Sequence, residues 1–374
     1  MKLWKQNTVY QEALERINMI FDEFENIVVS MSGGKDSTVV YEMVKQVAKE
    51  RDRLPLKVLW LDQECELEAT VDYMRNVFYD SDVEPYWLQV PFRLQNATSA
   101  KDQWLHVWGE GEEWVRDQDP ISIKENTFGT DRFVDLMEKA VTKLFEGSKT
   151  AVFTGVRGEE SPARYMGLTG QVTYKWITWG NLISKPNQHY NFHPLYDWTF
   201  IDIWKAIHDN NWTYNTHYDD LYRYGVSLKK MRVSNYHHET AVHALFLLQE
   251  VEPDTYERAT RRIGGLDTAG KMGKEDWYIK ELPFMFSDWA EYRDYLLKHL
   301  IADEYREKFR STFESIERRY PHEINDKMYR NHINAILCND VEMTKIKNWE
   351  TSHQTINQRQ RGLDHAAKFA EQPD

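Results

Sequence analysis

Cysteine is nearly absent from this chain: Cys65 and Cys338 are the only two among 374 residues. Two thiols cannot build a four-cysteine metal centre, so neither an iron–sulfur cluster nor structural zinc is expected. Such sparse usage fits a reduced, cytoplasmic setting rather than a disulfide scaffold. Long apolar runs are missing as well. No stretch of about 18 apolar residues occurs, so no membrane span is expected. Residues 1–10 mix Lys, Gln and Asn and do not read as a secretory signal. Positive charge is in deficit, with 47 Lys and Arg against 60 Asp and Glu and a net charge of −13. That balance argues against a general nucleic-acid binder but leaves room for a local basic groove. Internal repeats, low-complexity tracts and an H-E-x-x-H pattern are also lacking, so His237, His238 and His243 do not point to zinc.

What is present is an ordinary globular composition, 41% hydrophobic and 29% charged, enriched in aromatics with 14 Trp and 21 Tyr. The length predicts two domains, or one large domain with an appendage. Apolar residues at 3–4 spacing predict a helix over 9–24 leading into a strand at Ile27–Val29. A helix follows over 37–49, a strand at Leu56–Leu61, a helix over 68–79 and a strand at Tyr86–Val90. This β-α-β-α-β rhythm predicts a parallel sheet covered by helices. Residues 93–129 read as an irregular, Trp-rich insert. A helix over 131–146, a strand at Thr150–Thr154, an extended segment at Tyr190–Asp197 and a helix over 200–210 come next. Beyond about 240 the pattern turns helical, and the stretch after 350 is polar and reads as exposed.

The strand at Ile27–Val29 runs into Ser30-Met31-Ser32-Gly33-Gly34-Lys35-Asp36-Ser37. Glycines permit close backbone approach, and the free N–H groups and positive dipole end of the following helix favour an anion. The run is thus a phosphate cradle by its own chemistry. It is not the NTPase P-loop, because Val29 stands where the first glycine of G-x-x-x-x-G-K would be.

Ser32-Gly33-Gly34-Lys35-Asp36-Ser37 resembles the PP-loop of the ATP pyrophosphatase, or adenine nucleotide alpha-hydrolase, superfamily. Thr154-Gly155-Val156-Arg157 with Ser161 and Arg164 is similar to the second, arginine-bearing motif of the phosphoadenosine phosphosulfate (PAPS) reductase family. His193-Pro194-Leu195-Tyr196-Asp197-Trp198, then Ile203-Trp204, resembles that family's P-L-x-D-W segment, and Tyr214-Asn215 with Tyr218-Asp219 matches its next landmark. The likeness covers roughly residues 10–235. Gly225–Ser234 has no cysteine where many sulfonucleotide reductases carry a pair for a cluster, and it most resembles the cysteine-poor, immunoglobulin-binding-regulator A-like branch.

The resemblance implies a Rossmann-like (HUP-type), mostly parallel twisted sheet with helices on both faces and a helical C-terminal appendage. The expected division is an adenine-nucleotide-binding domain over 1–235 and a helical region over 236–374. The expected ligand is ATP, or a related PAPS- or APS-like nucleotide, with Mg²⁺. Expected binding residues are Ser30, Ser32, Gly33, Gly34, Lys35, Asp36, Ser37, Asp62, Gly155, Arg157 and Arg164, with Lys35, Asp36 and Arg157 catalytic. Asp36 reads either as a Mg²⁺ ligand or as a helix N-terminal charge, and Asp62 either as a ribose or metal contact or as a cap. Arg157 and Arg164 suit bidentate oxyanion clamping. Asp197 and Trp198 read as a cap and a packing residue before the 200–210 helix, and His193 as a structural histidine.

Sulfonucleotide reduction needs a thiolate to attack sulfur. Cys338 sits in an apolar run and reads as a packing residue, while Glu64 and Glu66 disfavour a thiolate at Cys65. Three functions therefore stay open: cleavage of the α–β bond of ATP with adenylation of an acceptor, sulfonucleotide reduction with an external thiol, and a non-catalytic nucleotide-sensing subunit. The third follows from the branch's ParB-like neighbours in mobile elements, from the aromatic insert at 93–129 and from the glycine-rich basic segment 258–274. That segment reads as a flexible loop for a phosphate-bearing polymer or a distal substrate phosphate, or else as a solvated surface loop; Lys229, Lys230 and Arg232 form a separate basic cluster. The oligomeric state is left open.

Overall fold

β1 (Asn26–Ser30) is built from β-branched residues, and Ile27, Val28 and Val29 are buried, as a strand covered on both faces requires. The computed structural model describes residues 5–96, 98, 104–170, 172–228, 231–233, 235–236, 245–267, 281–321, 324–347 and 349–350. The described residues of 1–94, 106–236 and 247–262 form one compact unit, and those of 95–105, 237–246 and 263–374 form another.

In the first unit α1 (Val9–Glu23) starts on a capping box between Thr8 and Gln11 and delivers the chain to β1. α2 (Lys35–Glu50), β2 (Leu56–Leu61), α3 (Glu68–Phe78) and β3 (Val83–Leu88) follow, then α4 (Phe133–Leu144) and β4 (Thr150–Phe153). α5 (Pro162–Thr169), β5 (Gly180–Ser184), β6 (His189–Phe192), α6 (Phe200–Asp209) and α7 (His217–Arg223) come next. The six strands lie in the order β3-β2-β1-β4-β6-β5. All neighbours are parallel except the β5–β6 pair at one edge. β1 is held between β2 (Val29 opposite Val58) and β4 (Val29 opposite Phe153). The chain leaves β1 toward β2 while β4 lies on the other side. The strand order reverses here, and open parallel sheets bind ligands outside the carboxyl ends of strands at such a point. Val39, Val40, Met43, Val44 and Val47 of α2 are buried in the core with Ile17 and Ile20 of α1. Each such side chain contributes about 1.5–3 kcal/mol on burial.

The structure amends several expectations. β3 begins at Val83, three residues before the expected start, and Tyr190–Asp197 is a strand only as far as Phe192. The insert at 93–129 is not wholly irregular, since Phe92–Gln95 and Trp104–Val107 are strands outside the main sheet. The start of the expected basic loop is helical: α8 (Leu245–Val251) is followed by α9 (Pro253–Arg262), which carries Arg258, Arg261 and Arg262.

The second unit is helical. α10 (Trp289–His299), α11 (Asp303–Arg319) and α12 (Asp326–Leu337) pack around Trp289, Leu296, Phe309, Phe313, Ile316 and Ile336. Phe313 stacks on His332 with ring centroids 4.1 Å apart, and burial pushes that imidazole down to about 3. Cys338, expected inside packing, is half-buried, and Lys345 Nζ lies 3.1 Å from its sulfur. Among the described residues, no helix is long and apolar enough to cross a membrane.

Candidate functional site

The turn between β1 and α2 is held by its own side chains. Gly33 has φ +69°, and a Cβ there would lie 2.5 Å from Thr70 Cγ2. Ser37 Oγ donates to the Gly34 carbonyl at 2.9 Å and accepts from Ser32 N–H at 3.2 Å. Thr38 Oγ1 donates to the same carbonyl at 3.0 Å. Gly34 caps α2 in extended backbone, with no side chain to close the helix end. The amides of Gly33, Gly34, Asp36 and Ser37 thus have no hydrogen-bond partner among the described residues. Unpaired amides at a helix N-terminus, where the dipole is positive, form an anion cradle.

Two cations flank these amides. Lys35 is 6% exposed, and its ammonium lies 2.9 Å from Asp36 Oδ2. Arg157 is 4% exposed, and its Nε donates to Asp36 Oδ1 at 2.5 Å. Arg157 is aimed by its other bonds. Its Nη1 donates to Glu159 Oε2 at 3.1 Å and to the Trp198 carbonyl at 3.3 Å, and its backbone N–H donates to Glu160 Oε1 at 2.9 Å. Gly155 lets the segment after β4 lie against the first turn of α2, where a Cβ would stand 2.6 Å from Asp36 C and Ser37 N. Ser30, Ser32, Gly33, Gly34, Lys35, Asp36, Ser37, Gly155 and Arg157 are therefore gathered at the carboxyl ends of β1 and β4.

A clamp that the sequence reading left out of the site holds the loop from behind. Asn215 is fully buried and donates through Nδ2 to the Gly33 carbonyl at 3.2 Å and to Thr70 Oγ1 at 2.8 Å. The Tyr218 hydroxyl accepts from Lys35 N–H at 3.1 Å, and its ring lies under the Lys35 ammonium, 5.5 Å from the centroid. The Lys35 amide is thereby taken, unlike its neighbours. The ordered Tyr214-Asn215 and Tyr218-Asp219 landmark was the available signal.

Asp62 follows β2 at the carboxyl edge of the sheet and is fully buried. Its Oδ2 accepts from Trp87 Nε1 at 2.8 Å and Gln89 Nε2 at 2.9 Å, and its Oδ1 from Glu64 N–H at 3.0 Å and Arg116 Nη2 at 2.5 Å. Four protein donors occupy this carboxylate. Glu64, at φ 64°, is also fully buried and accepts from the amides of Trp108 (2.8 Å) and Val115 (3.2 Å) and from Arg262 Nε (2.9 Å). Burial, with Asp62 nearby, pushes the Glu66 carboxyl up to about 8. Burial and the Glu64 charge push the Cys65 thiol well above its usual range.

Arg164 is half-exposed and pairs with Glu160, whose other oxygen accepts from the Arg157 amide. His193 is held between Thr154 Oγ1 (2.5 Å) and Asn181 Nδ2 (2.9 Å), and burial pushes it down to about 4, so it is neutral at physiological pH. The cap of α6 is Thr199, in a capping box with Asp202. Asp197 instead makes a two-pronged pair with Arg16 of α1 at 2.7 Å, because a guanidinium fork matches a carboxylate better than one helix amide does. The three arginines of α9 are not a free basic surface. Arg262 pairs with Glu64 and Glu112, Arg258 with Glu68, and Arg261 with Glu257. Lys229, Lys230, His237, His238, His243, residues 268–274 and the tail from 351 lie outside the described residues.

Residues 26–270 match the phosphoadenosine phosphosulfate reductase domain, and residues 225–368 match a domain of unknown function, DUF3440. An Escherichia coli relative, uncharacterized protein YbdN, is 26% identical over 323 residues, covering 80% of this chain and 78% of its own length. The sulfate adenylyltransferase subunit 2 of Akkermansia muciniphila is 24% identical over 222 residues, covering 55% of this chain and 65% of its own length. Among solved structures, the PAPS reductase of Candida auris, in a phosphate complex, is 13% identical with a TM-score of 0.36, over 63% of this chain and 98% of its own.

Proposed function

Since this chain belongs to the phosphoadenosine phosphosulfate reductase domain family, we propose that it binds ATP on the Ser32–Ser37 loop and cleaves the α–β phosphate bond, adenylating an acceptor. The observation that carries this reading is the set of four unpartnered amides beside Lys35 and Arg157. Such a set suits the pyrophosphate portion of a nucleotide, whose leaving charge it would offset. An acceptor lone pair forms the new bond to the α phosphorus, the electrons of the α–β P–O bond depart with pyrophosphate, and the acceptor's proton passes to solvent. Lys35 and Arg157 hold the leaving pyrophosphate, the Ser32 hydroxyl adds a donor, and Ser37, whose proton goes to the Gly34 carbonyl, braces the loop. Asp36, whose two oxygens pair with Lys35 and Arg157, would hold Mg²⁺ only by releasing one of them to the phosphates; that ion takes one or two carboxylates with phosphate oxygens and would neutralise phosphate charge.

Reduction of a sulfonucleotide is the less supported reading. Cys65 is buried with its thiolate disfavoured, and Gly225–Ser234 carries no cysteine. The deciding assay follows pyrophosphate release from Mg-ATP across candidate acceptors, with Lys35→Ala as control. Pyrophosphate that disappears in the variant is expected. Release of ADP and phosphate refutes the reading, and sulfite formed from adenylyl sulfate or its 3′-phosphorylated form with thioredoxin replaces it.

A further inference from the structure

The first unit carries a cleft of about 650 Å³ lined by α2 and α3. Glu42 in its wall lies seven residues beyond Lys35, or roughly 10 Å of helix rise. Its lining is one-sided in charge: Glu42, Glu68, Asp72, Asp80, Asp220 and Glu252 against Lys45. Most of these carboxylates have local partners. Asp80 pairs with Lys45 (2.5 Å), Asp72 with Arg75 (2.8 Å), Asp220 with Arg223 (3.1 Å) and Glu68 with Arg258 (3.2 Å). Glu252 accepts from the first amides of α3, Glu68 N–H at 2.8 Å and Ala69 N–H at 3.3 Å.

Two polar groups are left over. Glu42 has no ion-pair or hydrogen-bond partner among the described residues, although it sits in a partly buried wall where burial pushes its carboxyl up. Tyr41 is 3% exposed and lines the cleft, and its hydroxyl has no hydrogen-bond partner among the described residues. The other two tyrosines of the wall are satisfied, Tyr73 by Thr38 at 2.9 Å and Tyr214 by Asp219 at 2.9 Å. The Tyr41 ring is buried while its oxygen opens to the cleft, where a donor can reach it.

We propose that this cleft binds an aliphatic polycation of the polyamine class. Its negative charge is spread over α2, α3, α7 and the end of α8 rather than focused. Among the described residues, no three acidic, histidine or cysteine side chains are grouped to hold one metal ion. An extended chain with several ammonium groups matches that distribution. One ammonium meets Glu42 and donates to the Tyr41 hydroxyl, a second meets the Asp72 and Glu252 side, and the methylenes between them lie on tyrosine faces and on Val77 and Val251. The site is independent of the nucleotide reading.

Isothermal titration of the full chain with spermidine, at ionic strength held constant with NaCl, tests it. Saturable one-to-one binding is expected. Glu42→Gln should weaken it by about tenfold or more, the loss of one charge-assisted hydrogen bond. Tyr41→Phe should weaken it less but in the same direction, and Lys35→Ala should leave it unchanged. Should Glu42→Gln fail to fold, Asp72→Asn, on the exposed side of the wall, takes its place. The proposal is overturned by an absence of saturable heat, by equal affinity in the wall variants, by loss of binding in Lys35→Ala, or by Mg²⁺ competing at equal ionic strength.

Discussion

A single methyl group at Gly155 tests whether the segment after β4 and the first turn of α2 are locked in the geometry that forms the cradle. In Gly155→Ala the new Cβ meets backbone, Asp36 C and Ser37 N at 2.6 Å and Asp36 O at 2.9 Å. Backbone atoms at a helix start cannot swing away as a flexible side chain does, so the two segments must part by roughly 0.8 Å to reach ordinary contact, an overpacking that costs about 1–3 kcal/mol. The same displacement moves the amides of Asp36 and Ser37 and lengthens the 2.5 Å bond from Arg157 to Asp36. Both stability and nucleotide binding should therefore fall, read as a lower urea midpoint and a smaller ATP-induced rise in Tm. Gly167→Ala is the matched control. Gly167 is exposed within α5 with nothing inside 4 Å of its would-be Cβ, so the same methyl should stabilise by about 0.5–1 kcal/mol through helix propensity. A Gly155→Ala protein within about 0.5 kcal/mol of the parent, with an unchanged ATP response, would refute the reasoning.

The two arginines of the second motif should separate in a nucleotide titration: Arg157→Ala weakens ATP binding about tenfold or more by removing a buried charge-assisted contact, whereas Arg164→Ala, on an exposed pair, changes it less than about threefold. Asp62→Asn leaves Arg116 buried without its counter-charge and should cost about 3–5 kcal/mol in urea unfolding; a loss below about 1 kcal/mol would mean that water reaches the network. Glu66 has a folded-state pKa raised to about 8, so the folded chain keeps a proton that the unfolded chain has lost. Its stabilising contribution is full below pH 4.5 and is lost as pH rises toward 8. Glu66→Gln should flatten the decline of Tm over that window, and an unchanged slope would assign the decline to other groups.

The sheet was legible where local pattern and tertiary role coincide. Ile27–Val29 and Val58–Leu61 are continuous apolar runs because both of their faces are covered. β5 escaped because it is an edge strand buried only at its two ends, with Leu182 nearly half exposed, so its existence depends on pairing with β6 rather than on its own composition. α5 escaped although Ser161 followed by Pro162 is a helix-start signal, because Gly167 and its exposed face blur the periodicity. In the site, the loop and Arg157 were readable as chemistry attached to strand ends. Asn215 and Tyr218 were readable only as a family landmark and not as braces, since a residue that braces a loop about 180 positions away leaves no periodic trace. Asp62 shows the converse. A carboxylate after a strand looked available to a ligand, but Trp87, Gln89 and Arg116 converge on it only once the chain has folded.

Cys65, embedded in that carboxylate-rich loop, gives the chain a built-in clock. A thiol reagent attacks only a thiolate it can reach, and this sulfur is fully covered, whereas Cys338 is only partly buried and lies beside a lysine. Uptake of the first equivalent of reagent therefore belongs to Cys338. The slow second equivalent measures how often the loop after β2 comes open, residue-resolved and without any introduced label. If nucleotide binding at the end of β1 steadies the neighbouring strand ends, that second rate falls in step with occupancy.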